Sequence, residues 1–358
     1  MSEFLLELFS EEIPANLQKS ARQNLLENFR QLFEEKQIVF KKSTSYSTPN
    51  RLIILFEGLN SQIIQKSEEI KGPNIDAPYK ALEGFMRSNK IDKKLIYKKK
   101  IEKGEFYFFK RSSQKIKTAD IIKEYSPKIL DKVLWKKSMR WNNFDLHWGR
   151  PLKSIMAIFD NQSLDFKYYH LLSSNFTIVD KDYEDKQKII KNFKEYSKFF
   201  KKSGVIIDHD LRKRFIEKEL LKISIKKDFL LEINNKLLDE VTNLVDQPNI
   251  LLCKFDSKFL QIPKEILIIT MQYHQKYFHT FDKKGNITNE FLVVANKKDI
   301  KKFIKLGNER VVEARLSDAQ FFWEKNKSQN LVKQVTKLKT MNYFNGLGSY
   351  FDKIQRMR

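Results

Sequence analysis

Few residues of this 358-residue chain are of a type and spacing that could carry catalysis. Asp208-His209-Asp210 holds its single His-Asp dipeptide. Metal-dependent phosphohydrolases combine such a pair with further His and Asp ligands, because a hard cation needs several O and N donors to activate water. With five histidines in all, one such pair by chance is unsurprising. Its place before Leu211-Arg212 suits a helix N-cap, where Asp satisfies backbone amides. His274 and His279 lie five apart, a spacing that fits neither i,i+4 on a helix nor alternate positions on a strand, so a zinc pair is not expected. The segment between them, Gln275-Lys276-Tyr277-Phe278, sits at a predicted helix-to-strand junction. Its polar side chains can reach phosphates, riboses or base edges, or form an ordinary polar junction. Phosphate loops, dinucleotide turns, nucleophile elbows and zinc helices of the usual patterns are absent. Cys253 is the one cysteine, which rules out an intramolecular disulfide and Cys-x-x-Cys zinc spacing. No catalytic, metal or cofactor set is expected on this chain.

Two stretches join arginine to aromatics: Lys137-Ser138-Met139-Arg140-Trp141 and Trp148-Gly149-Arg150-Pro151-Leu152. Arg beside Trp can stack and bind a phosphate or carboxylate, or brace a domain corner. Further along, Asn308-Glu309-Arg310 and Arg315-Leu316-Ser317-Asp318 read as helical, with charges spaced to pair at i,i+3. The net charge is +23, from 55 Lys and 13 Arg against 45 acids. That excess suits a polyanion partner but also a Lys/Ile/Asn compositional bias. It is patchy: residues 90–140 hold 17 basic and 6 acidic residues, whereas residues 1–36 hold 4 and 7. Inside the basic stretch, Phe106, Tyr107, Phe108 and Phe109 follow Gly104. Aromatics among lysines stack on unpaired bases, or an alternating strand packs one face on a core.

The elements that must position these residues read as mixed strand and helix. A strand at 4–9 precedes Pro14 and a helix with Leu17, Ala21, Leu25, Phe29, Leu32 and Phe33 on one face. A strand near 38–46, a turn at Thr48-Pro49-Asn50 and the run Leu52–Phe56 predict a hairpin-like pair. Lys71-Gly72-Pro73 precedes a helix with Ala81, Phe85 and Met86. Strands at 95–100 and 105–111 flank Lys103-Gly104, and a helix capped by Thr118 runs towards Trp135. A strand follows at Ser154–Phe159, and the basic stretch 181–202 predicts a surface helix and loop. Helices are expected from Asp208 or Asp210, across 220–245 with interruptions, and from Pro263 towards His274. Strands near 277–282 and 291–295 surround Lys284-Gly285-Asn286, and a long helix runs from Asn308 with Val312, Leu316, Ala319 and Trp323 on one face.

These patterns predict an α+β protein: mixed sheet-and-helix domains at 1–160 and 161–300, then a largely helical stretch at 301–358. Apolar content of 41% with 29 Phe supports a substantial core. No run of about 18 uncharged apolar residues is present, and the start lacks a basic leader, so a cytoplasmic protein is expected with no membrane partner. Leu347, Tyr350, Phe351, Ile354 and Met357 form an apolar helical stripe running to the last residue, which leads us to expect a piece of a longer protein.

Taken in order, the segments resemble the beta subunit of bacterial heterotetrameric glycyl-tRNA synthetase. The resemblance rests on Phe4–Leu8 with Ser10–Pro14, Thr48–Leu52, Lys71–Pro73, Ala81–Phe85, and Lys137–Trp141 with Arg150–Leu152. It continues through Met271–Phe278, Gly307–Val311, Ala314–Ala319, Phe321–Glu324, and Leu347–Ser349 with Asp352–Ile354 and Arg356. It implies a non-catalytic partner of a class II synthetase, supporting tRNA-Gly binding and charging in an α2β2 assembly. The alpha subunit would hold the adenylate-forming site and use ATP and Mg. It also implies early domains similar to parts of the phenylalanyl enzyme's beta subunit, and an HD-like domain and an anticodon-binding domain further along than residue 358. Arg140, Arg150, His274, Lys276, Arg310 and Arg315 are the candidate tRNA or inter-subunit contacts. The alternative is an assembly module that binds the alpha subunit without touching RNA. The family's Gly-His-Arg-Phe-like stretch is missing at Ser173-Ser174-Asn175-Phe176, which puts any role of that stretch in doubt here.

Overall fold

Alternation along the first strand shows how unit 1, Met1–Asp208, is built. In the computed structural model, which describes residues 2–65, 67–101, 104–141, 143–179 and 187–358, the chain opens with β1 (Ser2–Ser10), α1 (Ala15–Glu35) and the hairpin β2 (Lys42–Thr48) to β3 (Arg51–Leu59). Then come β4 (Gln62–Gln65), β5 (Glu68–Asn74), α2 (Tyr79–Asn89), β6 (Ile96–Ile101), β7 (Gly104–Arg111), β8 (Gln114–Lys117) and α3 (Thr118–Asp131). Two short strands, β9 (Met139–Arg140) and β10 (His147–Trp148), lead to β11 (Leu152–Phe159). Short strands β12 (Gln162–Ser163), β13 (Lys167–Tyr168), β14 (Leu171–Ser174), β15 (Phe176–Thr177) and β16 (Lys188–Ile189) precede α4 (Phe193–Lys202).

The main sheet runs β13-β14-β11-β1-β3-β2, with β12 on β11. Successive side chains of a strand point to opposite faces. Phe4, Leu6 and Leu8 therefore pack with Leu25, Phe29 and Phe33 of α1 and Ile122 of α3, while Leu5 joins Ile53, Tyr196 and Phe200 on the other face. Burial on both faces explains why β1 reads as an almost unbroken apolar run.

Residues 68–111 form a module of their own on this body. They are spliced between β4 and β8, which pair with each other from Gln62↔Lys117 to Gln65↔Gln114 and so act as a two-strand neck. The module is a three-stranded antiparallel sheet, β5-β7-β6, with α2 against β5: a Cβ placed on Gly72 would lie 2.9 Å from the Phe85 ring.

Several expectations change at this level. The compact units meet at Asp208/His209, not at 160, because β14 pairs in parallel with β11 (Ile155↔Ser173) and α4 buries Tyr196 and Phe200 on the main sheet. That helix is therefore a core element and not a purely surface one; residues 181–186 of the same expectation, like Lys103 of the 103–104 turn, lie outside the described residues. Thr118 is the first helical residue, not the N-cap; Lys117 holds that place, and the Thr118 hydroxyl instead donates to Asn60 O at 2.6 Å. The helix ends at Asp131, short of Trp135.

Unit 2, His209–Arg358, begins with α5 (His209–Lys227), α6 (Asn235–Thr242) and β17 (Asn249–Lys254). Helix α7 (Lys264–Ile268) continues into a π-helical turn (Ile269–His274), followed by β18 (Phe278–Phe281), β19 (Ile287–Ala295) and α8 (Phe303–Ser328). The antiparallel sheet β17-β19-β18 is covered on both sides. Leu292 and Phe278 meet Ile216, Leu220 and Leu238 of α5 and α6, while Phe291 and Val293 meet Met271, Val312 and Leu316. Helix α8 is thus part of this unit's core and not a separate helical segment from 301. The chain closes with α9 (Leu331–Gln334), the pair β20 (Asn342–Phe344) and β21 (Gly348–Ser349), and α10 (Tyr350–Met357), whose Ser349 and Asp352 form a capping box. The architecture is α+β, and no helix among the described residues is long and apolar enough to cross a membrane.

Candidate nucleic-acid interface

The six candidate contact residues fall in both units. In unit 1, β9 and β10 form a small hairpin that pairs Arg140 with His147. Arg140 is exposed, yet its guanidinium closes the hairpin: Nε donates to Phe144 O at 3.0 Å and one terminal nitrogen lies 2.8 Å from Asp145 Oδ1. Arg150 is half-buried and donates to Gly149 O at 3.0 Å. The neighbouring Trp148 is core. It is 1% exposed, sits edge-on to Trp135 at 5.1 Å, and its carbonyl accepts from the Trp141 indole at 3.0 Å. Gly149 lies so close to the Trp135 ring that a Cβ there would overlap it. The Arg-aromatic signature is therefore largely a packed corner.

In unit 2, His274 ends the π-helical turn and is exposed. Lys276 adopts φ +63 and lies 3.0 Å from Glu240 Oε2, tying the junction to α6. Tyr277 is buried, donates to Asn308 Oδ1 of α8, and burial pushes its phenol up to about 12. Glu309 accepts from the Lys254 amide at 2.9 Å and lies 3.7 Å from Lys305 Nζ. The junction and the Asn308-Glu309 pair thus lock α8 onto the sheet. Arg310 and Arg315 are exposed, and among the described residues neither enters an ion pair, so the expected i,i+3 pairing does not form. They lie five positions apart, which places them about 140° apart around a helix. They are not on one face.

His279, the other histidine of this segment, is 6% exposed, and among the described residues its Nδ1 has no hydrogen-bond partner. Burial holds its imidazole below the ordinary value of 6.5, with Glu232 opposing. A base whose folded value is lowered gives stability that is present above 6.5 and lost as pH falls through the folded value, because the unfolded chain binds the proton more readily. The denaturant midpoint of unit 2 is expected to fall between about pH 7 and about pH 5, and His279→Gln to flatten that part of the profile. An unchanged profile in the variant would remove His279 as the cause. His209 opens α5 with Nε2 3.5 Å from Asp210 Oδ1, and among the described residues no group of three or more His, Cys, Asp or Glu is placed to hold a metal ion.

The basic module at 68–111 divides its aromatics between two faces. Phe109 pairs with Ile70 and Ile96 on the side of α2, where Arg111 also reaches Asn89 at 3.4 Å. Phe106 and Phe108 point to the other side with Lys71, Tyr97 and Lys99, which stand opposite them across the strands. The Lys71 ammonium lies 3.5 Å above the Phe106 ring and that of Lys99 5.5 Å above Phe108. Glu69 accepts from Tyr97 at 2.8 Å and pairs with Lys99; these hydrogen bonds, Lys99's first, hold its carboxyl below the ordinary range. The candidate residues had not included this face. The signal for it was the Phe106–Phe109 run within the basic stretch.

With this geometry in view, the family model described as glycyl-tRNA synthetase beta subunit matches residues 4–358. The chain belongs to that family. A glycine–tRNA ligase beta subunit from Rickettsia conorii is 36% identical over 358 residues, covering 100% of this chain and 54% of the relative. Those of Rickettsia felis and Rickettsia bellii are each 35% identical, with the same shares covered. The chain thus spans about half the length of the curated relatives it matches. Where this chain departs from the family's expected stretch, Ser173 and Ser174 are structural. Ser173 donates to Leu164 O at 2.6 Å and accepts from the Phe166 amide at 2.7 Å, and Ser174 donates to Ile155 O at 3.2 Å, stitching β14 to the sheet edge.

Proposed function

We propose that this chain supports tRNA-Gly binding and ATP-dependent glycylation as part of a glycine–tRNA ligase beta subunit. The family match along residues 4–358 carries the reading. In it the partner is an alpha subunit in an α2β2 assembly of class II type. That subunit holds the adenylate-forming site and uses ATP and Mg, while this chain supplies basic surface and no catalytic group. Two observations support the division of labour: the positive charge concentrated at 90–140, and the exposed Arg310 and Arg315, which enter no ion pair among the described residues.

The test is tRNA-Gly affinity against salt. Phosphate neutralisation releases counterions, so affinity is expected to drop on the order of 10³-fold between about 50 and about 200 mM salt if about six phosphates are engaged. Arg310→Ala and Arg315→Ala should each reduce the log–log slope by about 1 where they meet phosphate. No binding at the lower salt removes the RNA role from this chain.

A second reading, a module that binds the alpha subunit without touching RNA, is favoured by the exposed Phe321, Phe322 and Trp323 on α8. Exposed apolar side chains in a row mark protein interfaces. Co-purification with the alpha subunit after nuclease treatment, combined with no tRNA affinity, would select it.

A further inference from the structure

We propose that the open face of the β5-β7-β6 sheet is a platform for unpaired RNA, with bases stacking on Tyr97 and Phe106 and phosphates held by Lys71 and Lys110. This deepens the tRNA reading above and rests on it. The face is built by register: Tyr97 stands opposite Phe108, and Lys99 opposite Phe106. Lys71 flanks Phe108 on the other strand, so aromatics and lysines share one side of the sheet. Among the described residues, helix α2 meets the opposite side, where the Phe85 ring approaches Gly72; on the platform side Phe108 is 7% exposed beneath Lys71, Tyr97 and Lys99.

Exposure and charge point the same way. Tyr97 is 36% exposed, and Lys71, Lys99 and Lys110 are exposed. Lys99 pairs with Glu69, which also stands opposite Lys110 across the strands. Among the described residues neither Lys71 nor Lys110 enters an ion pair. Residues 68–111 carry 12 basic and 7 acidic residues, and the neighbouring body adds more cations through residue 140. Lys71 already sits over the Phe106 ring; a base that takes that place leaves the ammonium within reach of its own phosphate.

The chemistry selects single strands over duplex. In a duplex each base face is buried against its neighbours, so an aromatic ring has no face to stack on, whereas unpaired nucleotides present theirs. Stacking on an aromatic also tolerates any base. A sheet face carrying rings beside ammonium groups therefore fits a loop or an end of folded RNA better than a helical arm.

The experiment uses the 358-residue chain with three probes: tRNA-Gly, a fluorescein-labelled oligouridine of about ten nucleotides, and a blunt RNA duplex. Fluorescence anisotropy is expected to show oligouridine bound more tightly than duplex, with Tyr97→Ala and Lys110→Glu each weakening it about tenfold. Tyr97→Phe keeps the ring and should bind as the parent does. Melting temperatures separate lost stacking from lost fold, and if Tyr97→Ala unfolds, the exposed Lys110→Glu decides. Oligouridine affinity unchanged in all variants overturns the proposal, even where tRNA binding survives. Absence of binding to all three probes overturns this inference together with the tRNA reading on which it rests.

Discussion

Replacing Arg51 with methionine is expected to destabilise unit 1 by about 3–5 kcal/mol, measured as the shift in urea unfolding of the chain. Arg51 is 0% and Glu7 1% exposed at the side chain, with Arg51 Nε 3.3 Å from Glu7 Oε2. The guanidinium also donates to the carbonyls of Ile178 and Val179 and lies over the rings of Phe9 and Phe200. Glu7 accepts from Thr177 at 2.6 Å and from Tyr196. This network stands on the odd-numbered face of β1, in the core beneath α4. Burial pushes the Glu7 carboxyl up, and Arg51, Thr177 and Tyr196 pull against it. Removing Arg51 leaves a carboxylate in an apolar site with its cation gone, the costly way to break a buried pair. A raised carboxyl gives stability that is present below its ordinary value of 4.5 and lost as pH rises through the folded value. The variant's deficit should accordingly narrow in acid. Glu7→Leu with Arg51→Met should lose less than the sum of the singles; strictly additive losses would show that the two side chains are not coupled.

Trp148→Ala should cost unit 1 about 3–5 kcal/mol, and Trp148→Phe much less. The indole is enclosed by Trp135 and Tyr168, with ring centroids at 5.1 and 6.4 Å, and alanine leaves a cavity that the paired strands β9 and β10 cannot close. Among the described residues the indole nitrogen has no hydrogen-bond partner, so phenylalanine sacrifices no bond there. Thermal melts of the two variants give the comparison. Equal losses would mean that something other than ring volume holds the corner.

Much of the fold was legible from spacing. The hairpin at Thr48-Pro49-Asn50, the helix from Ala15 and the strands around Gly285 follow from period and turn chemistry, which act over a few residues. Helix α4 is the surface helix that the basic stretch predicts, but one of its faces is buried on the main sheet. Its lysines mask Phe193, Tyr196 and Phe200, which recur at helical spacing. The ending of α3 at Asp131 was likewise not visible, because nothing in the local pattern marks it.

The candidate site was legible only in part. Arg140, Arg150 and Lys276 were chosen for charge beside aromatics or at a junction, and each holds a local bond: to the Phe144 carbonyl and Asp145, to the Gly149 carbonyl, and to Glu240. Whether a cation faces solvent or braces a turn depends on neighbours distant in sequence. Arg310 and Arg315 do face solvent, but the helix turns them apart.

Residue types and their order alone establish the family, the α+β class and the uneven positive charge, since these depend on composition, short-range periodicity and motif order. Packing alone decides that Glu7 and Arg51, 44 positions apart, share one buried site, that 161–208 completes the first unit, and that Phe106 and Phe109 look to opposite sides of one small sheet. The reason is physical: strand register and burial are settled by contacts between distant segments, and a one-residue change of register exchanges every buried side chain for an exposed one.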